Sequence, residues 1–294
     1  MKLSATLLAG ILASQSYAFA PQTINRHHPS RVLVSSSSLI QLSTTTEEAV
    51  VVETADNDVV TNPRLSGLAL MLDDGTRKSH SMAENTQFVS GFFKGLADRD
   101  SYRSLITSLY FVYEAMEEAM DKSSDDGVRT LDYPALRRLD SLKKDMDFFY
   151  GVNWQDDVVP SPAAKAYVAR IVEIAQTKPY LMIAHQYTRY LGDLFGGQMM
   201  GGMASRSLSL QNGDGTAFYT FDDIPSTKDF ITEWYTRLNE LDLTQQQKEE
   251  IVDEANLVFA LNIDVLQELE GSPLKAMLTL AVNSLKEKRL WPFL

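Results

Sequence analysis

The hydrophobic residues after about position 63 recur with the spacing of α-helices. Apolar side chains at every third or fourth position define one buried stripe, formed by Tyr102, Leu105, Ile106, Leu109, Tyr113, Met116 and Met120. A second stripe is formed by Ile251, Ala255, Val258, Phe259, Leu266 and Leu269. No part of the chain shows the alternation of apolar and polar residues that is typical of a half-buried strand. The pattern therefore predicts an all-α fold.

Residues that typically start and end helices divide this pattern into segments. Ser161 and Ser272 are each followed by proline, which is typical of an N-cap and a first helical position. Thr244 and Gln247 form a capping box, and Gly271 is suited to end a helix. These signals predict about eight helices in one domain, with the first two ranges able to join. The predicted helices lie near 64–81, 85–95, 100–121, 133–150, 162–177, 180–208, 227–240, 245–270 and 273–288.

The N-terminal part of the chain differs from the helical part in composition. Residues 1–18 contain Lys2, a short apolar run and small residues at the end, which is typical of a signal peptide. Residues 19–45 are rich in Ser, Thr and Arg and contain no acidic residue, which is typical of a transit peptide. Together they resemble the bipartite presequence of algae with secondary plastids, such as diatoms, and predict a protein of the plastid (chloroplast) stroma; simple secretion is the alternative. Residues 46–62 are predicted to be a disordered linker, and residues 63–290 the folded domain.

Composition excludes several classes of function. The chain has no cysteine, which excludes disulfides, thiolate-ligated iron and iron–sulfur clusters. Its formal net charge of −12 argues against nucleic-acid binding, because the acidic surface repels phosphate. No uninterrupted apolar run reaches the length of a transmembrane helix, so no stable membrane insertion is predicted.

Few residues can ligate a metal through nitrogen. Of the four histidines, His27 and His28 lie in the predicted presequence, which leaves His80 and His185. Glu84 follows His80 by four residues and shares its face of a helix. A carboxylate in that position can hold one ring N–H and leave the other nitrogen available to iron. The alternative is an ordinary His–Glu pair on a solvated helix face.

A glycine-rich helix is the second unusual feature. His185, Arg189, Gly192 and Gly196 are spaced so that they form one stripe along an α-helix. Each glycine inside a helix costs about 1 kcal/mol relative to alanine, so a ligand or a neighbouring helix is expected to approach the backbone closely. Asp193 lies beside this stripe, four residues after Arg189. It is suited either to hold a water over a ligand or to form a surface ion pair.

Several ordered segments together resemble the haem oxygenase family, particularly its cyanobacterial and red-lineage plastid members. The resemblance covers about residues 70–288. Its motifs are HSMAEN at 80–85, SLYFVY at 108–113, FFYG at 148–151, YTRYLGDL at 187–194, DEAN at 253–256 and ELEG at 268–271. It implies a helical domain that uses O₂ to open haem to biliverdin, iron and CO.

The resemblance implies that haem b is both cofactor and substrate. It implies that His80 is the iron ligand, that Glu84 orients it, and that Arg77 contacts a haem propionate. Gly192 and Gly196 would leave room for O₂ above the ring. The protein would supply binding and orientation, while the cofactor carries the difficult chemistry. Electrons would come from reduced plastid ferredoxin.

The resemblance also implies that three residues form the catalytic group on the distal side of haem. Asp193 would anchor a network of water molecules together with Arg189 and Tyr113. That network would deliver protons to the reaction. Ferredoxin would dock on a basic cluster formed by Arg137, Arg138, Lys143 and Lys144, for which the alternative is a solvated helix face.

The chain also departs from the family pattern. Asp73, Ile231 and Tyr235 stand where basic residues that bind haem propionates are common. Other replacements on the glycine-rich helix are Phe195 for a small polar residue and Gly201 and Gly202 for a lysine pair. These losses are expected to weaken haem binding. A non-degrading haem or tetrapyrrole binder is therefore the alternative function, and a cytochrome that ligates iron through both His80 and His185 is a third.

Overall fold

A computed structural model describes residues 62–93 and 98–269 of the chain. The predicted presequence, the predicted linker up to residue 61 and the predicted helix near 273–288 lie outside the described residues. Within those residues the protein is built from helices and turns and contains no strand. The prediction of an all-α fold is therefore confirmed. None of the helices in this part of the chain is both long and apolar enough to cross a membrane.

The observed helices follow the predicted ranges closely. They are α1 (Gly67–Glu84), α2 (Gln87–Phe93), α3 (Arg99–Lys122), α4 (Asp126–Thr130), α5 (Leu139–Tyr150), α6 (Pro162–Thr177), α7 (Met182–His185), α8 (Gln198–Ser207), α9 (Thr227–Glu240) and α10 (Gln245–Leu269). Two π-helical segments, Gln186–Leu191 and Asp193–Gly197, connect α7 to α8. We call the continuous run of residues 182–207 the glycine helix.

Local capping explains where several helices begin. The Ser161 hydroxyl accepts a hydrogen bond from the Ala164 N–H at 3.2 Å at the start of α6. At the start of α10, the predicted capping box forms: Thr244 N–H donates to Gln247 Oε1 at 2.9 Å, and Gln247 N–H donates to Thr244 Oγ1 at 3.2 Å. Both caps were visible in the sequence because their partners are three residues apart.

The start of α5 differs from its prediction, and α4 was not predicted. Helix α5 begins at Leu139 and not near residue 133, because a short 3₁₀ turn, Pro134–Leu136, comes first. The N-terminus of α5 is capped from another helix, since Glu117 of α3 accepts the N–H groups of Arg138 and Leu139 at 2.7 and 2.9 Å. A cap that is distant in sequence leaves no local signal.

The core lies around α3 and between α1 and α10. Every member of the first predicted stripe on α3 is buried. Helix α1 packs along α10, and Gly75 of α1 lies against Val252 of α10. A Cβ added to Gly75 would lie 2.4 Å from Val252 Cγ1, so a side chain at this position would not fit. This approach holds α1, which carries His80, against α10.

We expect Gly75→Ala to lower the free energy of unfolding by about 1 kcal/mol. The overpacking cost of about 1–3 kcal/mol exceeds the gain of about 1 kcal/mol in helix propensity. In a Val252→Ala background the clash is absent, so the same change should raise stability. Urea unfolding of the four proteins in this double-mutant cycle measures both effects. A decrease of equal size in both backgrounds would contradict the proposed close approach.

Candidate active site

His80 lies near the C-terminal end of α1, with 28% of its side chain exposed. Its Nδ1 is 3.7 Å from Glu84 Oε1, which confirms that the two residues share a helix face. That distance exceeds a hydrogen bond, and the Glu84 side chain is 58% exposed. The edge of the imidazole meets the Phe259 ring of α10, with ring centroids 5.7 Å apart. The ring is therefore positioned by packing on α10, while part of it stays accessible.

The glycines of the glycine helix fall into two pairs with different surroundings. A Cβ added to Gly192 or Gly196 would meet no atom within 4 Å. At Gly197 and Gly201, an added Cβ would lie 3.1 and 2.7 Å from atoms of Tyr219. Close packing therefore explains Gly197 and Gly201, while Gly192 and Gly196 border open space, so the approach of a ligand there stays a prediction.

Asp193, Arg189 and Tyr113 are brought together, as predicted. Asp193 is only 8% exposed, and the Tyr113 hydroxyl donates to its Oδ2. Arg189 Nη2 donates to both carboxylate oxygens at 3.1 Å. Arg189 Nη1 donates to Asn262 Oδ1 of α10 at 2.8 Å. Asn262 was not among the predicted site residues, although an amide within the apolar pattern of α10 is a usable signal.

Burial controls the protonation of this group. It raises the pKa of Asp193, and the nearby Arg189 cation and the Tyr113 hydrogen bond only partly oppose this shift. Burial also raises the pKa of Tyr113 well above its usual value, with the Asp193 charge acting in the same direction. Tyr113 therefore remains a protonated donor at neutral pH. The arrangement places a carboxylate, a phenol and a guanidinium in one desolvated network that can hold and pass protons.

Helix α10 connects His80 to this network. Phe259 contacts the imidazole, and Asn262, three residues later on the same helix, bonds Arg189. Three residues correspond to about 4.5 Å along a helix axis. His80 and Arg189 therefore contact α10 at positions less than one helical turn apart. The iron-ligand candidate and the proton-bearing network therefore lie close together in the fold, with open space beside Gly192.

His185 does not share the glycine stripe that its sequence spacing predicted. Its side chain is fully buried, and Nε2 lies 3.1 Å from Glu254 Oε1. Arg170 donates to both oxygens of Glu254, at 3.0 and 2.5 Å. The two π-helical segments carry five-residue hydrogen-bonded turns, which change the register that the α-helical spacing assumed. His185 is engaged in this buried hydrogen bond with Glu254, which argues against iron ligation by both histidines.

One further site prediction does not match the structure. Arg138 was predicted to help dock ferredoxin, but it is 6% exposed. Its guanidinium donates to the carbonyls of Ala135 and Leu136, each at 3.0 Å, and to that of Thr220, so the predicted basic cluster is wrong at this residue. Arg77 pairs with Asp74 on the exposed side of its own helix, and its contact with a propionate stays a prediction.

Two of the other three members of the predicted docking cluster pair with acidic neighbours. Arg137 lies 2.7 Å from Asp121 and 2.5 Å from Asp132, and Lys143 lies 3.3 Å from Asp140. These ion pairs reduce the positive charge that the four basic residues would present together. Docking of ferredoxin through Lys143 and Lys144 stays a prediction.

Comparison with known proteins agrees with this geometry. The family model described as Heme oxygenase matches residues 66–268. The chain belongs to the haem oxygenase family. It is 47% identical over 223 residues to heme oxygenase 1 of Synechocystis sp., covering 76% of this chain and 92% of the relative. It is 45% identical to heme oxygenase 1 of Nostoc sp., covering 76% of this chain and 94% of the relative. It is 42% identical to a heme oxygenase of the red alga Rhodella violacea, covering 76% of this chain and 96% of the relative.

Solved structures of the haem oxygenase family share the same architecture. The structure of heme oxygenase-1 from Synechocystis sp. in complex with heme superposes with a TM-score of 0.70 at 47% identity, covering 75% of this chain and all of that one. That of heme oxygenase-2 from Synechocystis sp. in complex with heme and NO gives a TM-score of 0.68 at 41% identity, covering 70% and 86%.

The residues of this chain fit a bound haem. The His80 imidazole is partly accessible and can ligate iron, and the open faces of Gly192 and Gly196 can accept a flat ring. Within the described residues no cluster of three or more His, Asp or Glu side chains offers another metal site. His80 is therefore the best candidate for the iron ligand.

The buried Glu254 carboxylate, which contacts His185 and Arg170, makes stability depend on pH. Despite burial, hydrogen bonds from His185 and Arg170 lower the pKa of Glu254 to about 2. A carboxyl whose pKa falls on folding stabilises the fold above its unfolded-state pKa, and this stabilisation is lost as pH falls below about 4.5. We expect the free energy of unfolding of the natural protein to drop by about 2–3 kcal/mol from this group between pH 5 and pH 2.

Glu254→Gln should remove most of this acid-dependent loss, although it lowers stability at pH 7. Glu173→Gln is the matched control, because Glu173 pairs with the same Arg170 but is 59% exposed. Urea unfolding at a series of pH values compares the three proteins. Equal pH dependence in the natural protein and Glu254→Gln would show that Glu254 does not carry the effect.

Proposed function

We propose that this chain is a haem oxygenase that converts haem, O₂ and electrons to biliverdin, Fe²⁺ and CO. The observation that carries the proposal is the buried group of Asp193, Arg189 and Tyr113, which lies beside open glycine faces and at the level of His80. Two similar proteins have been solved in complex with heme, which supports haem as the molecule bound here. Haem would serve as substrate and supply the iron that activates O₂.

The chain would bind and orient the ring. His80 Nε2 would ligate the iron, while Glu84, 3.7 Å from Nδ1, would hold the ring in one orientation once a hydrogen bond forms. The ring would lie against Gly192 and Gly196, where side chains are absent. Such close contact with backbone would limit which edge of the porphyrin can react, so steric restriction would determine the position of cleavage.

The distal residues would supply protons. Tyr113 keeps its proton at neutral pH and donates to Asp193, and Arg189 holds the same carboxylate from the other side. Asn262 fixes Arg189 in turn. This network would leave Asp193 able to bind water above the ring and pass protons inward, in a site from which bulk solvent is largely excluded.

Mixing the purified protein with hemin should give a Soret band that His80→Ala weakens or shifts. Adding reduced ferredoxin and O₂ should then produce bilin absorbance and CO. A stable Soret band after many equivalents of reductant would refute the proposal and favour the non-degrading tetrapyrrole binder. Failure to form any haem complex would refute both functions.

Asp193→Ala should keep hemin affinity within a few fold but lower bilin yield roughly 100-fold, because proton transfer is impaired. Asp193→Asn, which preserves shape, should behave similarly. Asp264→Ala is the control, since Asp264 is an exposed carboxylate on α10. Bilin absorbance, hemin titration and thermal unfolding should be measured together. Normal bilin yield from Asp193→Ala would contradict the proton-delivery role.

We also propose plastid localisation and electron supply from ferredoxin. The composition of residues 1–45 supports the first, and the second follows from the expected compartment. A fusion of residues 1–45 to a fluorescent protein should enter the plastid of a diatom. A fusion of residues 1–18 alone should stop in the secretory pathway. Secretion of both fusions would favour the simpler signal peptide.

A further inference from the structure

A 3₁₀ turn between the glycine helix and α9, Ala217–Tyr219, is fastened to the core by a carboxylate from another helix. Asp145 of α5 is fully buried, and its two oxygens accept two consecutive backbone N–H groups of the turn, each at 2.8 Å. The Phe218 ring in turn meets the Tyr113 ring, with centroids 5.4 Å apart. The position of Tyr219, the last residue of the turn, is therefore fixed relative to Tyr113.

The Tyr219 side chain lies along the glycine helix and extends towards Asp193. A Cβ added to Gly201 would lie 2.7 Å from the Cβ of Tyr219. A Cβ added to Gly197 would instead lie 3.1 Å from the ring atom Cδ1 of Tyr219, and 3.4 Å from the Cβ of Asp193. The ring therefore reaches from Gly201 past Gly197 and lies beside the Asp193 side chain. The two glycines let a phenol approach this carboxylate along the helix surface.

The Tyr219 hydroxyl is nearly buried and unpaired. The residue is 7% exposed, and within the described residues its hydroxyl makes no hydrogen bond, although it is not sealed from solvent. A tyrosine hydroxyl in such a position usually has a partner, because leaving it unbonded is costly. Burial raises the pKa of Tyr219, the charges of Asp193 and Asp145 add to this shift, and the Arg189 cation opposes it. The phenol therefore keeps its proton at neutral pH and is available as a donor.

The Asp193 carboxylate can accept one hydrogen bond more than the chain supplies. Tyr113 donates one hydrogen bond to it and Arg189 donates two. Two carboxylate oxygens have about four lone-pair sites, so one site is left over. The neighbouring face of the helix is open, since a Cβ added to Gly196 would meet no atom within 4 Å. A water molecule there could donate to the carboxylate while accepting from the Tyr219 phenol.

We propose that Tyr219 is a further positioning residue for the proposed reaction, and that its phenol donates to a water molecule that itself donates to Asp193. This inference rests on the proposed function. With one proton directed at Asp193 and its oxygen held by Tyr219, the water would direct its second proton at the open space beside Gly196. A hydrogen bond offered there would stabilise a negatively charged oxygen ligand more than a neutral one.

The test measures the pH at which the Soret spectrum of the hemin complex changes from its acid to its alkaline form, in which a neutral oxygen ligand becomes an anion. Tyr219→Phe should raise this midpoint by about 0.5–1 pH units, because one hydrogen bond that favours the anion is lost. Tyr110→Phe is the matched control and should leave the midpoint unchanged. Tyr110 is 6% exposed, but its hydroxyl donates to Glu114 at 2.6 Å.

A double-mutant cycle shows whether Tyr219 acts through Asp193. In an Asp193→Ala background, Tyr219→Phe should shift the midpoint less than half as much, because the shared water has lost its acceptor. In the natural background, Tyr219→Phe should slow bilin formation about fivefold, as expected for one hydrogen bond, while the Kd for hemin stays within twofold.

Thermal unfolding without hemin separates this role from a structural one. Because the hydroxyl makes no hydrogen bond within the described residues, the Tm of Tyr219→Phe should stay within about 2 °C of the natural protein or rise. The ring, which carries the packing against Gly197 and Gly201, is retained in this variant.

An unchanged midpoint in Tyr219→Phe would overturn the inference, as would equal shifts in the two backgrounds. A Tm more than about 3 °C lower without hemin would overturn it as well, because the hydroxyl would then stabilise the fold. In these cases bilin formation that depends on Asp193 would leave the proposed function intact. The natural protein's failure to bind hemin would overturn both.

Discussion

The buried Asp193 carboxylate is the interaction on which the rest of the site depends. It is held on one side by the phenol of Tyr113 and on the other by Arg189, which Asn262 fixes from α10. A buried charge is stable only where it is paired and hydrogen-bonded. The glycine helix, α3 and α10 must therefore be positioned so that these partners reach one another. The geometry that makes the carboxylate stable is the geometry that would let it handle protons.

Helix α10 contacts both His80 and the network of Asp193, Arg189 and Tyr113. It contacts His80 through Phe259 and bonds Arg189 through Asn262 within one helical turn. Gly75 allows α1 to lie directly against it, because any side chain there would collide with Val252. On the glycine helix, Gly197 and Gly201 allow close packing against Tyr219, while Gly192 and Gly196 leave open space. Small residues thus bring helices together and also keep room for a ligand.

The structure also changes how the missing basic residues are understood. The sequence suggests a site that has lost positive charge, since Asp73 and Tyr235 stand at two of the expected positions. In the fold, Asp73 instead holds Arg64, which comes from a turn before α1 and lies over Tyr235. A cation therefore lies beside these two positions, although it is supplied from a different part of the chain. Sequence position alone does not show this, because the contact joins residues from three separate elements.

The sequence by itself determined the helical class, the approximate position of most helices, the His80–Glu84 face and, through its family resemblance, the membership of Asp193, Arg189 and Tyr113 in one group. These features depend on spacing within a helix or on ordered motifs, both of which are local. Only the tertiary structure decided that His185 turns into the core, that Arg138 is buried and that the glycines divide into two pairs. Those outcomes depend on π-helical register and on which distant residue accepts each buried hydrogen bond, and neither is encoded in short-range periodicity.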